Sequence, residues 1–160
     1  MATDVNGLKV LELKIPPVVL VLIAAAGMWS VSALFPTLSF DVPGVVWLSS
    51  SIALLGVLVA ILGVLAFRTA GTTVDPRVPD QSESLVVSGV YRHSRNPMYL
   101  GFLLVLVGWA LFLGSVLSML FLAAFVSYMN RFQIIPEERF MGEKFGESYL
   151  RYSREVRRWL

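Results

Sequence analysis

The sequence predicts an all-α integral membrane protein with four transmembrane segments, the last two forming a helical hairpin, and a cytoplasmic amphipathic C-terminal helix. The chain of 160 residues is 56% hydrophobic and 15% charged, whereas soluble domains are about 25% charged. Its apolar runs are long enough to cross a hydrocarbon core about 30 Å thick. Its basic residues also fall in segments that would all lie on one side of such a membrane. We expect residues 1–160 to form one membrane domain.

The first two spans are predicted over residues 15–35 and 45–67, two uncharged runs of about 20 residues each. Pro16 and Pro17 fall in the first turn of the first run, where proline is tolerated. This run follows basic residues, as the core of a signal peptide would, but it exceeds the usual core length of about 7–15 residues. We therefore interpret it as a span.

The next two spans are predicted as a hairpin. Residues 98–128 carry no charge, and as one straight helix they would measure about 46 Å at 1.5 Å per residue, more than the core requires. Gly114 and Ser115 lie near the middle of this run, where they favour a tight turn. We therefore predict short spans over 98–113 and 115–128.

The distribution of basic residues supports this count of spans, because Lys and Arg collect on cytoplasmic segments. With four spans, all 13 basic residues lie on one side: before the first span, in a cytoplasmic loop over 68–97, or after the fourth span. The opposite side carries Asp41 as its only charge. We therefore expect both termini to be cytoplasmic and the protein to lie in an inner or cytoplasmic membrane. The same distribution argues against a nucleic-acid partner.

The tail is predicted to form one amphipathic helix over 136–160. Pro136 suits a first helical position, and Glu137 and Glu138 suit the positive end of the helix dipole. Apolar residues then recur at steps of three and four, namely Met141, Phe145, Tyr149, Tyr152, Val156 and Trp159. In the preceding loop, residues 85–87 have a short strand-like pattern.

A hairpin brings its two ends together, so we expect Arg95, Asn96 and Tyr99 to meet Glu137 and Glu138 at the membrane interface. A polar pocket with an apolar rim is a reasonable place for a ligand. The chain has no Cys and a single His, which excludes disulfides and Cys-type zinc sites and predicts no metal.

These segments carry two motifs. Residues 85–91 read Leu-Val-Val-Ser-Gly-Val-Tyr, and residues 95–101 read Arg-Asn-Pro-Met-Tyr-Leu-Gly. After the hairpin comes Glu137-Glu138, followed by Phe-Gly-Glu over 145–147. From about residue 67 to the end, the chain resembles the membrane-embedded methyltransferases that include isoprenylcysteine carboxyl methyltransferase and the phospholipid methyltransferases. Their pattern is Gly-x-Tyr, then Arg-His-Pro-x-Tyr, then a Glu-Glu tail.

The resemblance implies an S-adenosylmethionine-dependent methyltransferase acting at the membrane on a lipophilic acceptor: an isoprenylcysteine-like carboxylate, a thiol or a lipid headgroup. It implies Arg95 and Glu138 as catalytic residues. The cofactor-binding residues that it implies are Leu85, Val86, Gly89, Tyr91, Asn96, Pro97, Tyr99, Leu100, Glu137 and Glu138. Because methyl transfer from a sulfonium is an in-line displacement, alignment and exclusion of water matter more than acid or base chemistry.

The sequence departs from the family at Asn96, where the family has His. Asn donates and accepts hydrogen bonds but is not a base near neutral pH, so this position is expected to hold the cofactor. With no evident base left to deprotonate a thiol or an ammonium, an acceptor that is already anionic is favoured.

Two alternatives belong to other classes. In a non-enzymatic membrane module binding lipid headgroups or a partner protein, Arg92 and Arg95 anchor to lipid phosphates and Glu137-Glu138 only complement a helix dipole. A relative of the sterol reductases would use a nicotinamide cofactor instead. Independently of function, Tyr149, Tyr152 and Trp159 are interpreted as an interfacial aromatic belt. A lipid-facing basic patch is predicted from Arg154, Arg157 and Arg158.

Overall fold

The computed structural model describes residues 11–40, 43–71 and 84–160. Their regular secondary structure is helical, apart from one isolated bridge between Ser39 and Ser115. The longer helices are α1 (Pro17–Leu34), α2 (Val45–Thr69), α3 (Pro97–Leu113), α4 (Ser118–Tyr128), a π-helical segment (Met129–Ile134), α5 (Ile135–Phe145) and α6 (Glu147–Glu155). Short 3-10 helices lie at Pro36–Leu38 and Gly89–Arg92. The predicted all-α class is confirmed.

Within the described residues, three helical stretches are long and apolar enough to cross a membrane: Pro17–Leu34, Val45–Thr69 and Ser118–Phe145. The fourth apolar helix, α3, is shorter, with 17 residues. Large apolar side chains cover the outside of this bundle, for example Trp47 and Leu54, which are 80% and 72% exposed. Such a surface suits lipid rather than water, and the chain is an integral membrane protein.

Small residues let α2 and α3 pack closely in antiparallel directions. A Cβ atom on Gly101 would lie 2.5 Å from the backbone oxygen of Gly56, and one on Gly108 would lie 2.6 Å from that of Ser49. Such small residues allow two helix backbones to approach within a membrane. The contact between α2 and α3 positions the start of α3. The polar residues of the loop before α3 lie at that end of the helix.

The predicted hairpin is confirmed. α3 ends at Gly114, which takes the left-handed conformation with φ 58°, and α4 begins at Ser118 rather than at residue 115. The connection after α1 pairs with this turn: the Phe40 amide donates to the Gly114 oxygen at 2.6 Å, and the Val116 amide donates to the Leu38 oxygen at 3.2 Å. The polar segments therefore gather at the other end of the bundle.

The first span packs against both arms of the hairpin. Trp109 Nε1 of α3 donates to the Ala25 oxygen at 3.0 Å, and Ser118 Oγ of α4 donates to the Met28 oxygen at 3.5 Å. Met28, Leu106 and Met129 are fully buried at the centre of this contact. Because these side chains come from three different helices, they tie the bundle together.

The second arm of the hairpin does not end at residue 128 but continues through the π-helical segment into α5. Pro136 explains the irregularity, because its ring clashes with the carbonyl four residues earlier, and an inserted π turn relieves such a clash. That carbonyl belongs to Phe132, and it accepts a hydrogen bond from the Leu13 amide at 3.0 Å instead. Pro136 therefore does not start a new helix as predicted. It lies within a helical stretch that begins at Ser118, and it changes the geometry of that stretch.

The prediction of one tail helix over 136–160 is wrong. Gly146 has φ 50° and separates α5 from α6, since a residue in that conformation cannot continue a helix. α6 ends at Glu155, and Val156 is extended. In the preceding loop, residues 85–87 belong to neither a helix nor a strand.

Candidate functional site

The polar residues of the hairpin meet at one end of the bundle. The loop before α3 supplies Arg95, the π-helical segment and α5 supply Gln133 and Glu138, and residues 156–160 cross between them. We call this region the polar end. Arg95 Nη2 lies 2.8 Å from Glu138 Oε1, so the proximity predicted from the hairpin is observed.

Glu138 is held by two arginines. Arg95 Nη2 donates to Oε1, while Arg158 donates from Nε to Oε1 at 3.0 Å and from Nη2 to Oε2 at 2.6 Å. Two-pronged contacts between guanidinium and carboxylate are stronger and more directional than single ones. The Glu138 side chain is only 21% exposed, so one carboxylate sits between two cations in a partly dry environment, which leaves a net positive charge there.

Arg95 is anchored on three sides, yet one of its donors is unused. Its Nη1 donates to the Ser153 oxygen at 3.0 Å, and its backbone amide donates to the Arg157 oxygen at 3.0 Å. Its side chain is 14% exposed. The Nε group is buried and has no hydrogen-bond partner. An unpaired buried donor costs free energy, so this position suits an anionic or carbonyl ligand.

Glu137 forms a second, separate cluster. Tyr99 Oη donates to Glu137 Oε1, and Gln133 Nε2 donates to the same oxygen at 2.7 Å. Tyr99 and Gln133 are 3% and 1% exposed. The cluster therefore joins the first turn of α3 to the first turn of α5, with a buried carboxyl group between them.

Asn96 takes no part in either carboxylate cluster. Its Nδ2 donates to the backbone oxygen of Arg158 at 3.0 Å, and its own amide donates to Ser94 Oγ at 3.1 Å. Pro97, the first residue of α3, is buried and packs near Gly63. In this structure the residue that replaces the family His ties the C-terminal segment to the start of the hairpin.

Aromatic side chains form one wall of the polar end. Tyr149 and Tyr152 are buried with Val156, and Leu85 packs against them. Tyr152 Oη donates to the Tyr91 backbone oxygen at 2.7 Å. The interpretation of Tyr149 and Tyr152 as an interfacial belt is therefore wrong, because both rings are buried against residues of the loop before α3.

These phenols remain protonated at neutral pH. Burial, reinforced by the nearby Glu138 carboxylate, raises the pKa of Tyr149 to about 12. Burial likewise raises the pKa values of Tyr91 and Tyr152 well above the ordinary value. Each phenol thus keeps its proton and is unsuited to act as a base.

The other predicted cofactor residues are more scattered. Val86 is buried. Gly89, with φ 60°, lines an open apolar pocket of about 460 Å³ beside the last turns of α2, together with Leu62, Leu65, Ala66, Thr69, Ala70, Ser88 and Val90. Leu100 is half-buried on α3. Among the described residues, no group of three His, Cys, Asp or Glu side chains is arranged to hold a metal.

Two residues of the polar end were not predicted. Arg158 was assigned to a lipid-facing basic patch, yet it binds Glu138 because residues 156–160 leave the helix and return to the start of α3. Gln133 lies in the polar segment after the hairpin but was not predicted as a site residue. The signal that could have revealed it is its spacing: Gln133 and Glu137 stand four residues apart, and such pairs meet on a helical face.

Together, fold and site define an all-helical integral membrane protein with a polar, arginine-rich site where the two ends of a helical hairpin meet. A family model described as phospholipid methyltransferase matches residues 45–148. This match covers more than half of the chain, and the chain belongs to the phospholipid methyltransferase family. The predicted resemblance is confirmed.

The chain is also similar to individual proteins, two of which are named methyltransferases. The chain is 37% identical over 112 residues to protein-S-isoprenylcysteine O-methyltransferase of Saccharomyces cerevisiae, covering 64% of this chain and 46% of that protein. It is 30% identical over 144 residues to the enzyme of the same name from Xenopus laevis, covering 84% of this chain and 48% of that protein. It is also 48% identical over 63 residues to an uncharacterized protein of Haemophilus influenzae, covering 39% of this chain and all of that protein.

The chain thus spans about half the length of the two named methyltransferases. No solved structure matches it significantly.

Proposed function

We propose that this protein is an S-adenosylmethionine-dependent methyltransferase that acts at the membrane on a lipophilic acceptor. The observation that carries the proposal is the polar end itself, where Arg95, Glu138 and Arg158 form an ion-pair network. Membership in a family of membrane methyltransferases supports it independently. We propose Arg95 and Glu138 as the residues closest to the chemistry.

The residues of the polar end fit the cofactor. S-adenosylmethionine carries a carboxylate, an ammonium group and ribose hydroxyls, and the methyl group on its sulfonium is what it supplies to the reaction. Arg95 offers the buried Nε donor that has no partner within the protein. The carboxyl groups of Glu137 and Glu138 suit the ammonium group and the hydroxyls. The rings of Tyr91 and Tyr149 supply aromatic surface for the adenine or the sulfonium.

The protein's own contribution is to position the cofactor and the acceptor and to exclude water from them. The aromatic wall and the start of α3 shield Arg95 from solvent, which strengthens its charged contacts. Alignment of this kind is worth several kcal/mol in a displacement reaction. No proton transfer by a side chain is required if the acceptor is already ionised.

We infer that the acceptor presents a carboxylate on an apolar chain. The named relatives are isoprenylcysteine O-methyltransferases. The buried tyrosines stay protonated, and Asn96 is not a base, so a nucleophile that must first lose a proton is disfavoured. The apolar pocket beside Gly89 suits the hydrocarbon chain of such an acceptor. By the positive-inside rule we propose that the polar end faces the cytoplasm.

The test is calorimetric binding of S-adenosylmethionine and S-adenosylhomocysteine to the detergent-purified protein, followed by methyl transfer from labelled cofactor to a farnesylated cysteine. We expect micromolar binding, lost in Arg95→Ala and Glu138→Gln. Arg154→Ala is the matched control, because Arg154 is exposed on α6. Absence of binding by the wild type in both detergent and lipid would reject the methyltransferase and favour a module that binds lipid headgroups.

Transfer to phosphatidylethanolamine but not to the carboxylate would retain the activity and reject the proposed acceptor. Both acceptors are therefore offered in parallel to the same preparation.

A further inference from the structure

The last five residues of the chain run along the start of α3 and are held there by hydrogen bonds from several residues. We call residues 156–160 the C-terminal strap. The Arg95 amide donates to the Arg157 oxygen at 3.0 Å, and Asn96 Nδ2 donates to the Arg158 oxygen at 3.0 Å. Ser94 Oγ lies 3.5 Å from that same oxygen. Further along, Trp159 Nε1 donates to Asn130 Oδ1 at 3.1 Å.

The strap delivers one side chain to the ion-pair network. Arg158 meets both oxygens of Glu138, while its backbone oxygen is fixed by Asn96. Its side chain is 35% exposed, whereas that of Arg95 is 14% exposed. Arg158 therefore lies on the outer side of Glu138, and Arg95 lies on the inner side.

This arrangement orients Glu138 and, through it, Arg95. A carboxylate gripped by a planar guanidinium on both oxygens cannot rotate freely. With Glu138 fixed, Arg95 donates through Nη2 to Oε1, the oxygen that it shares with Arg158 Nε. The remaining donor of Arg95, the buried Nε, stays unpaired. Without Arg158, the Glu138 carboxylate is free to rotate and to accept hydrogen bonds from both Nε and Nη2 of Arg95. No donor of this pair would then remain for a ligand.

We propose that Arg158 is a positioning residue of the cofactor site and that Asn96 holds it in place through the C-terminal strap. The proposal rests on the proposed function, and it extends the site to the end of the chain. It also accounts for the departure at position 96. The task of this side chain is to donate one hydrogen bond to the Arg158 carbonyl, and an imidazole N–H performs the same task.

The test uses four variants of the full chain: Arg158→Ala, Arg158→Lys, Asn96→Leu and Asn96→His. Two quantities are measured: the Kd of S-adenosylhomocysteine by calorimetry, and the hydrogen exchange of the peptide that contains the Arg95 amide. Arg154→Ala is the control. Thermal unfolding in detergent verifies that each variant is folded.

We expect Arg158→Ala to weaken binding about tenfold or more, as loss of hydrogen bonds to charged groups does. Asn96→Leu removes a neutral hydrogen bond to the Arg158 carbonyl, so it should weaken binding several-fold. Both variants should speed exchange at Arg95. Arg158→Lys keeps the charge without the planar two-pronged contact, so partial rescue is expected. Asn96→His should remain within about twofold of the wild type, because it keeps a donor. In methyl transfer, Arg158→Ala should raise the KM for the cofactor more than it lowers kcat.

Two results overturn the proposal. One is a folded Arg158→Ala protein that binds S-adenosylhomocysteine as tightly as the wild type. The other is an Asn96→Leu protein with unchanged exchange at Arg95. If the wild type binds no cofactor, the proposed function fails, and the positioning role fails with it. Exchange at Arg95 then still reports separately whether the strap is attached.

Discussion

Tyr99 Oη donates a hydrogen bond to Glu137 Oε1, linking the first turn of α3 to the first turn of α5. Both residues belong to the motifs that identify the family, yet they stand 38 positions apart in the chain. Gln133 donates to the same oxygen at 2.7 Å. The hairpin therefore places its two motifs in direct contact, and Glu137 is oriented by two buried donors.

We expect Tyr99→Phe to weaken binding of S-adenosylhomocysteine several-fold, because it frees Glu137 to reorient. Losing one hydrogen bond should also lower the free energy of unfolding by about 1 kcal/mol. Calorimetry and thermal unfolding in detergent measure the two effects. Tyr128→Phe is the matched control: the Tyr128 hydroxyl is buried with no hydrogen-bond partner, so its removal should leave both quantities unchanged or raise stability. Equal behaviour of the two variants would contradict the role given to Tyr99.

Glu138→Gln should lower both stability and cofactor binding more than Tyr99→Phe does. It removes the negative charge between Arg95 and Arg158 while preserving shape, so two guanidinium groups would face each other across a neutral amide. We expect a loss of about 2 kcal/mol in the free energy of unfolding, less than for a fully buried pair because Glu138 is partly exposed. Cofactor binding should be abolished. Glu143→Gln, at an exposed position on the same helix, should alter neither, and a loss there would point to a general charge effect.

Much of this architecture follows from the sequence for simple physical reasons. Long uncharged runs have few alternatives to membrane helices, and Gly114 near the middle of residues 98–128 made the hairpin predictable. The hairpin in turn predicted that Arg95 and Glu138 would meet. These inferences depend on length, charge and one turn residue, all of which can be read locally.

The incorrect predictions concern the C-terminal residues 156–160, which leave α6 and lie along the start of α3. The periodicity from Met141 to Trp159 continued smoothly and suggested one helix, but it carries no information about Gly146 adopting a positive φ. Nor does it reveal that Val156 becomes extended. Arg158 can contact Glu138 only because the chain leaves the helix at Val156. Its role therefore depends on tertiary structure and not on a local pattern. The same applies to Gln133, whose partners lie on another helix.

Close contact between α2 and α3 makes a prediction about stability. Gly101→Val would place its Cβ 2.5 Å from the Gly56 oxygen, so the two helices must separate. Overpacking of this kind costs about 1–3 kcal/mol, and a lower midpoint of thermal unfolding in detergent should reveal it. Gly142→Ala is the control, since the nearest atom to its Cβ would be 4.0 Å away. In a helix that change should be neutral or stabilising by up to about 1 kcal/mol. Destabilisation of equal size in both would reject close packing as the cause.

The apolar pocket beside Gly89 separates the recognition of the acceptor from that of the cofactor. Ala66 lines this pocket on the last turns of α2, and Ala66→Phe would fill part of its volume of about 460 Å³. If the pocket holds the hydrocarbon chain of the acceptor, KM for a farnesylated cysteine should rise about tenfold or more, as expected when burial of one or two methylene groups is lost. The Kd for S-adenosylhomocysteine should stay unchanged, because the polar end is untouched. Leu54→Phe, on the outer surface of the same helix, is the control and should alter neither quantity. A rise in the cofactor Kd with no change in the KM of the acceptor would assign the pocket to the cofactor instead.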